Sequence, residues 1–150
     1  MKLAEALNRR ADLQNKVAKI RQRLANNVKV QEGDEPAESP ENLFSELDGT
    51  IAELEEMIVR INKTNQQTQV GGTTLTQMIA RKDMLSLRHS VLNGALEAAN
   101  VTRDRYSRSE IKFVRTVDVA ALQAMVDRTA KSIRETDTAL QQANWTTELL

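Results

Sequence analysis

Apolar residues in this chain recur at alternating steps of three and four, the spacing that aligns side chains on one face of an α-helix. Leu13, Val17, Ile20 and Leu24 form the first such line, with Leu3 and Ala6 extending it and Arg10 interrupting it. It predicts a helix over about residues 2–26. Phe44, Leu47, Ile51, Leu54, Ile58 and Ile61 make the most regular run and predict a second helix. Ser39 is its N-cap and Pro40 stands at its first position, where the missing N–H costs nothing. Thr74-Leu75-Thr76-Gln77 fits a capping box for a third helix reaching about Asn100.

That third helix carries two apolar stripes. Met78, Leu85, Leu92 and Ala99 form one; Met84, Leu87, Val91, Ala95 and Ala98 form the other. A helix apolar over so broad an arc is expected to be buried on more than one side, as a central helix or one shared with a second copy of the chain. Asp118 can cap a fourth helix, on which Val119, Leu122, Val126, Thr129, Ile133, Thr136 and Leu140 continue the pattern to about Asn144. The tail, with Trp145 and two terminal Leu residues, is expected to dock rather than hang free.

Two segments break the helical period. Val28 and Val30 alternate with Lys29 and Gln31, and residues 111–117 are rich in β-branched and aromatic side chains; both predict short strands. Short links make neighbouring helices antiparallel, which puts the 27–39 and 101–117 links at one end and allows these strands to pair. Gly71-Gly72, at the other end, could form the tight turn of a small hairpin. The predicted fold class is therefore mainly α: four long antiparallel helices, as two coiled-coil-like hairpins or a four-helix bundle, with a small antiparallel β-ribbon at one end. At 150 residues it is expected to form a single helical domain, residues 1–150.

Composition narrows the function classes. Lys plus Arg equals Asp plus Glu, 21 against 21, which argues against a general polyanion or membrane-surface binder. There is no cysteine, so disulfides, thiolate catalysis and cysteine-held metals are excluded. No apolar run approaches the ~20 residues of a membrane span, and the start of the chain does not read as a secretion signal, so a cytoplasmic location is expected. A di-iron bundle needs two Glu-x-x-His pairs, whereas the chain holds one histidine, His89, and no such pair. Neither a nucleophile elbow nor a phosphate-binding glycine loop is present. No catalytic residue, metal ligand or cofactor is assigned, and the reading leans away from an enzyme. His89, at the edge of the first stripe of the third helix, is expected to be an interface histidine hydrogen-bonded to a neighbour.

The zero net charge hides segregation along the chain. Between Val30 and Val59 there is no Lys or Arg, while Glu32, Asp34, Glu35, Glu38, Glu41, Glu46, Asp48, Glu53, Glu55 and Glu56 all fall there. The first helix carries Lys2, Arg9, Arg10, Lys16, Lys19, Arg21 and Arg23 against Glu5 and Asp12. A basic helix joined to an acidic one predicts an antiparallel hairpin with complementary flanks. Further along, Arg103, Arg105, Arg108, Lys112 and Arg115 interleave with Tyr106 and Phe113. Arg, Lys and aromatic groups so mixed can grip phosphate oxygens and stack on bases, so Arg103, Arg105, Tyr106, Arg108, Lys112 and Arg115 are candidate anion or nucleic-acid contacts. The competing expectation is that the acidic loop, residues 32–41, neutralises them.

Four stretches also carry a family resemblance: Met1-Lys2-Leu3-Ala4-Glu5-Ala6-Leu7-Asn8-Arg9-Arg10-Ala11-Asp12-Leu13-Gln14, Asn26-Asn27-Val28-Lys29-Val30-Gln31-Glu32-Gly33, Asp104-Arg105-Tyr106-Ser107-Arg108-Ser109-Glu110-Ile111-Lys112 and Asn144-Trp145-Thr146-Thr147-Glu148-Leu149-Leu150. The chain resembles small bacterial proteins labelled septicolysin-like, and the resemblance implies a membrane-acting cytolysin. Against that implication, the apolar stripes are narrow seams suited to partner helices. Three functions thus stand: a non-enzymatic homo-oligomer joined through helix 3 and neighbouring seams, a nucleic-acid or phosphate-ligand binder, and a cytolysin. The first fits the residues best.

Overall fold

The computed structural model describes residues 1–100 and 112–150. Four helices form in chain order: α1 (Leu3–Asn27), α2 (Pro40–Gln67), α3 (Leu75–Asn100) and α4 (Val119–Thr146). A two-stranded antiparallel ribbon, β1 (Gln69–Val70) and β2 (Thr73–Thr74), precedes α3, with Gln69 opposite Thr74 and Val70 opposite Thr73. The fold is mainly α, as the spacing predicts. The chain forms two compact units, residues 1–75 with 141–150, and residues 76–140.

In the first unit α1 and α2 make an antiparallel hairpin. Leu3, Ala6, Leu13 and Ile20 of α1 are buried, on the predicted line. The flanking charges pair as the segregation predicts: Arg9 with Glu53, Lys16 with Glu46 at 3.7 Å, and Arg23 with both Glu46 and Glu38. Low numbers on α1 meet high numbers on α2, which sets the antiparallel sense. These pairs are partly exposed, so they select register more than they stabilise.

The buried line of α2 runs one residue before the expected one at Leu43, Thr50 and Met57 and meets it at Ile61. Leu43, Thr50, Met57, Ile61 and Thr64 are buried, whereas Phe44 is 50% and Ile51 44% exposed. The reason is that two threonines complete the seam. The Thr50 hydroxyl donates to the Glu46 carbonyl (2.7 Å) and the Thr64 hydroxyl to the Arg60 carbonyl (2.9 Å). With its polar atom satisfied inside its own helix, each presents a methyl group to the core. A pattern read from apolar letters alone passes over them.

Helix starts follow the predicted caps. The Ser39 hydroxyl accepts from Asn42 N (3.4 Å), and the Asp118 carboxylate accepts from Ala120 N and Ala121 N (3.0 and 3.2 Å). The ribbon, however, is not where the strand-like residues lie. Residues 28–31 and 112–117 have no strand structure, and Ile111 lies outside the described residues. The ribbon closes on Gly71 and Gly72, the hairpin turn suggested by the sequence, with φ of 58° and 81°. Two successive positive φ values suit a tight hairpin turn and are costly for any residue with a Cβ. The pair Val28–Val30 has β-propensity but no strand beside it, and propensity without a partner makes no sheet.

The tail is docked by backbone rather than by its tryptophan. Leu3 N donates to Thr147 O (2.9 Å), Leu149 N to Met1 O (2.9 Å) and Leu150 N to the Thr64 hydroxyl (3.0 Å). Arg60 Nε donates to the Leu150 backbone oxygen (2.9 Å), and Lys2 pairs with Glu148. Trp145 stays 59% exposed. In the second unit, α3 and α4 are tied by Lys82 and Asp137, which joins the first part of α3 to the last part of α4 in the antiparallel sense. Val126, Thr129 and Leu140 of α4 are buried, on the predicted line.

Candidate functional site: the outer face of α3

The two stripes of α3 have different fates. Met78 and Leu96 are buried, and Leu85, Leu92 and Ala99 half-buried. The other stripe faces outward: Met84 is 60% exposed, Leu87 58% and Val91 65%, with Ala80, Ala95 and Ala98 exposed beside them. The two stripes lie roughly 130° apart around the axis, at about 100° per residue. The broad apolar arc is therefore split between an inward and an outward seam.

From Ala80 to Ala98 the outward seam holds no charged residue: Ala80, Met84, Leu87, Val91, Gly94 and Ala98 follow at steps of four, three, four, three and four. A Cβ built on Gly94 would meet nothing within 4 Å, so the seam is open there. Charges stand on either side of it. Arg81 and Arg88 flank one edge, Asp83 and Glu97 the other, and all four are exposed. Glu97 accepts from Asn93 Nδ2 (3.2 Å). Asp83 and Arg88 take part in no ion pair among the described residues.

The chemical candidates sort as follows. Arg103, Arg105, Tyr106 and Arg108 lie outside the described residues, so the pairing expected between them and the acidic loop does too. Lys112 is exposed and Phe113 is 91% exposed. Arg115 donates from Nε to the Ala99 carbonyl (2.8 Å), at the last turn of α3. His89 is half-buried and makes no hydrogen bond among the described residues, so the expected bonded neighbour is missing there.

The acidic loop has a structural task within its own unit. Arg23 donates from Nε and Nη2 to Glu38 (2.5–3.1 Å) and from Nη1 to Glu46 (3.0 Å). Glu38 N donates to Asn27 Oδ1 (2.9 Å), which joins the loop to the end of α1. The Arg23 hydrogen bonds hold the Glu38 carboxyl below the ordinary carboxylate range, and the same bonds hold the Arg23 guanidinium above its ordinary value. A backbone hydrogen bond and then the Ser39 hydroxyl lower Glu41. An open groove lies beside this loop, lined by Asn27, Val30, Asp34 and Glu38 among others. Among the described residues no three His, Cys, Asp or Glu side chains gather where they could hold a metal ion.

Residues 10–149 match a family described as a family of unknown function (DUF6847). The chain belongs to that family. It is also similar to a solved structure described as the crystal structure of a functionally unknown conserved protein from Corynebacterium diphtheriae. The two share 37% identity, a TM-score of 0.91, and coverage of 100% of this chain and 99% of that one. No curated protein matches the sequence. These findings overturn the septicolysin-like resemblance: the family is DUF6847, and nothing in the match carries a cytolysin with it. Nor is any helix among the described residues long and apolar enough to cross a membrane.

Proposed function

We propose that this protein is a non-enzymatic cytoplasmic interaction protein that associates with copies of itself through the outer seam of α3. One observation carries the reading. Met84, Leu87 and Val91 are each more than half exposed on an uninterrupted heptad line, although three such residues in sequence register normally serve a helix partner. The other outward apolar line, Phe44, Ile51 and Val59 on α2, is broken by Asp48 and Glu55, which stand between its members. The absence of cysteine fits a reducing compartment.

Leu87→Glu tests the proposal, with Phe44→Glu as the comparison. Burying the exposed 58% of Leu87 contributes roughly 1–1.5 kcal/mol per copy. A two-fold interface contains the residue twice, so the loss is roughly 2–3 kcal/mol, or at least about 30-fold in dissociation constant. Sedimentation velocity is expected to show L87E as a monomer at concentrations where the unmodified chain and F44E are associated. Dissociation by F44E and not by L87E would move the interface to α2 and overturn the assignment.

A second reading, contact with nucleic acid or a phosphate ligand through residues 103–115, is supported by the exposure of Lys112 and Phe113. It predicts RNA or nucleotide binding that weakens with salt. Unchanged binding after Arg105→Ala and Arg108→Ala would remove it.

A further inference from the structure

We infer that two copies pair through α3 in parallel and in register, with Asp83 of each copy facing Arg88 of the other. The inference rests on the α3 association proposed above and adds its orientation and register. Taking Met84 and Leu87 as the two seam positions of one heptad, Val91, Gly94 and Ala98 continue the same two positions. The residue just before the first seam position is then Asp83, followed a heptad later by Ser90 and then Glu97. The residue just after the second is Arg88, preceded a heptad earlier by Arg81. One edge of the seam is thus acidic and the other basic.

Orientation decides which edges meet. In a parallel pair the acidic edge of one helix lies along the basic edge of its partner, and a residue flanking one seam position faces the partner residue five further on. Residue 83 plus that offset is Arg88, so the two-fold axis generates two Asp83–Arg88 pairs. Antiparallel pairing joins like edges instead: in the register that sets Leu87 against Val91, Arg88 approaches its own copy and Asp83 approaches Glu97. Like charges so placed oppose that arrangement. Both Asp83 and Arg88 are exposed and uncommitted to any ion pair among the described residues, so neither must break a bond to serve. The occupant of the seam is accordingly a second copy, whose own edges supply the complementary charge.

The chain contains no cysteine, so any disulfide formed by a single-cysteine variant joins two copies. Under mild oxidation, M84C, V91C and A98C are each expected to give a covalent dimer, because parallel in-register pairing sets every seam residue against itself. S86C, away from the seam, is the background. Background self-cross-linking by all three, with L87C joining V91C when the two variants are mixed, would establish the antiparallel pair and overturn the inference while leaving self-association intact. Background cross-linking at all three and in the L87C–V91C mixture, in a chain that light scattering shows to be dimeric, would place the interface elsewhere. A monomer by light scattering would overturn the association itself. Charge reversal gives an independent sign. D83K and R88D are each expected to raise the dimer dissociation constant about five-fold and the double variant to restore it. Tightening by R88A, which removes the charge from both copies at once, would show that Arg88 faces Arg88, and the parallel register would fall.

Discussion

Leu43 and Phe44 are neighbours in sequence, and replacing each by Ala separates the observed α2 seam from the one that apolar spacing suggests. Leu43 is 2% exposed. Its truncation removes a packed side chain and leaves a cavity, which costs about 2–5 kcal/mol. Phe44 is 50% exposed, so Ala there forfeits only about half of the value of burying a Phe, roughly 1 kcal/mol, and opens no cavity. In a chain of this length each kcal/mol moves Tm by about 2–4 °C. Leu43→Ala is therefore expected to lower Tm by about 10 °C and Phe44→Ala by about 3 °C. Circular dichroism melts and urea titrations, run at one dilute concentration so that association does not contribute, measure both. A Phe44→Ala loss equal to or larger than that of Leu43→Ala would mean that α2 buries the Phe44, Ile51, Ile58 face, and the account of Thr50 and Thr64 as core residues would be wrong.

Other outcomes follow from the same structure. Gly49 lies inside α2 with nothing within 4 Å of a Cβ built on it, so Gly49→Ala is expected to stabilise by about 0.5–1 kcal/mol; a fall in Tm would show that the site is not open helix. Arg10 interrupts the α1 seam, and its buried Nε has no partner among the described residues. Arg10→Met should raise the urea midpoint by an amount equivalent to about 1 kcal/mol, and destabilisation would reveal a partner for that nitrogen. Acid should loosen the first unit. Glu38, held down by Arg23, and Glu148, held down by Lys2, bind protons less readily in the folded chain than in the unfolded one. Their contribution is complete above the ordinary glutamate value of 4.5 and is lost as pH falls through the lowered folded values. Glu38→Gln should flatten the stability-versus-pH slope below that point, and an unchanged slope would show that the Arg23 contact contributes nothing there.

How far the sequence reaches depends on which residues carry the signal. The α1 line, the Ser39 and Asp118 caps and the matched charges of Arg9, Lys16 and Arg23 with α2 were legible, because each depends on spacing or charge within one or two helices. The α2 face was misread because Thr50 and Thr64 count as polar until their hydroxyls are seen bonded to the preceding turn. The hairpin at Gly71 and Gly72 was legible because the backbone demand they meet is local, whereas the strands expected at residues 28–31 and 111–117 rested on propensity, which says nothing about a partner. The two stripes of α3 were visible as a pattern. Which one faces outward depends on residues distant in sequence, and only the fold separates Met84, Leu87 and Val91 from Met78 and Leu96. The tail illustrates the same limit: Trp145 is its most apolar-looking anchor, yet backbone bonds to Leu3, Met1 and Thr64 hold it.

Self-association through α3 is the central claim, and the mass of the chain in solution tests it most directly. Light scattering across micromolar concentrations is expected to give twice the 16.8 kDa chain mass for the unmodified protein and the single-chain mass for Leu87→Glu. A mass of 16.8 kDa for the unmodified protein throughout that range, or a dimer that Leu87→Glu leaves intact, would contradict it.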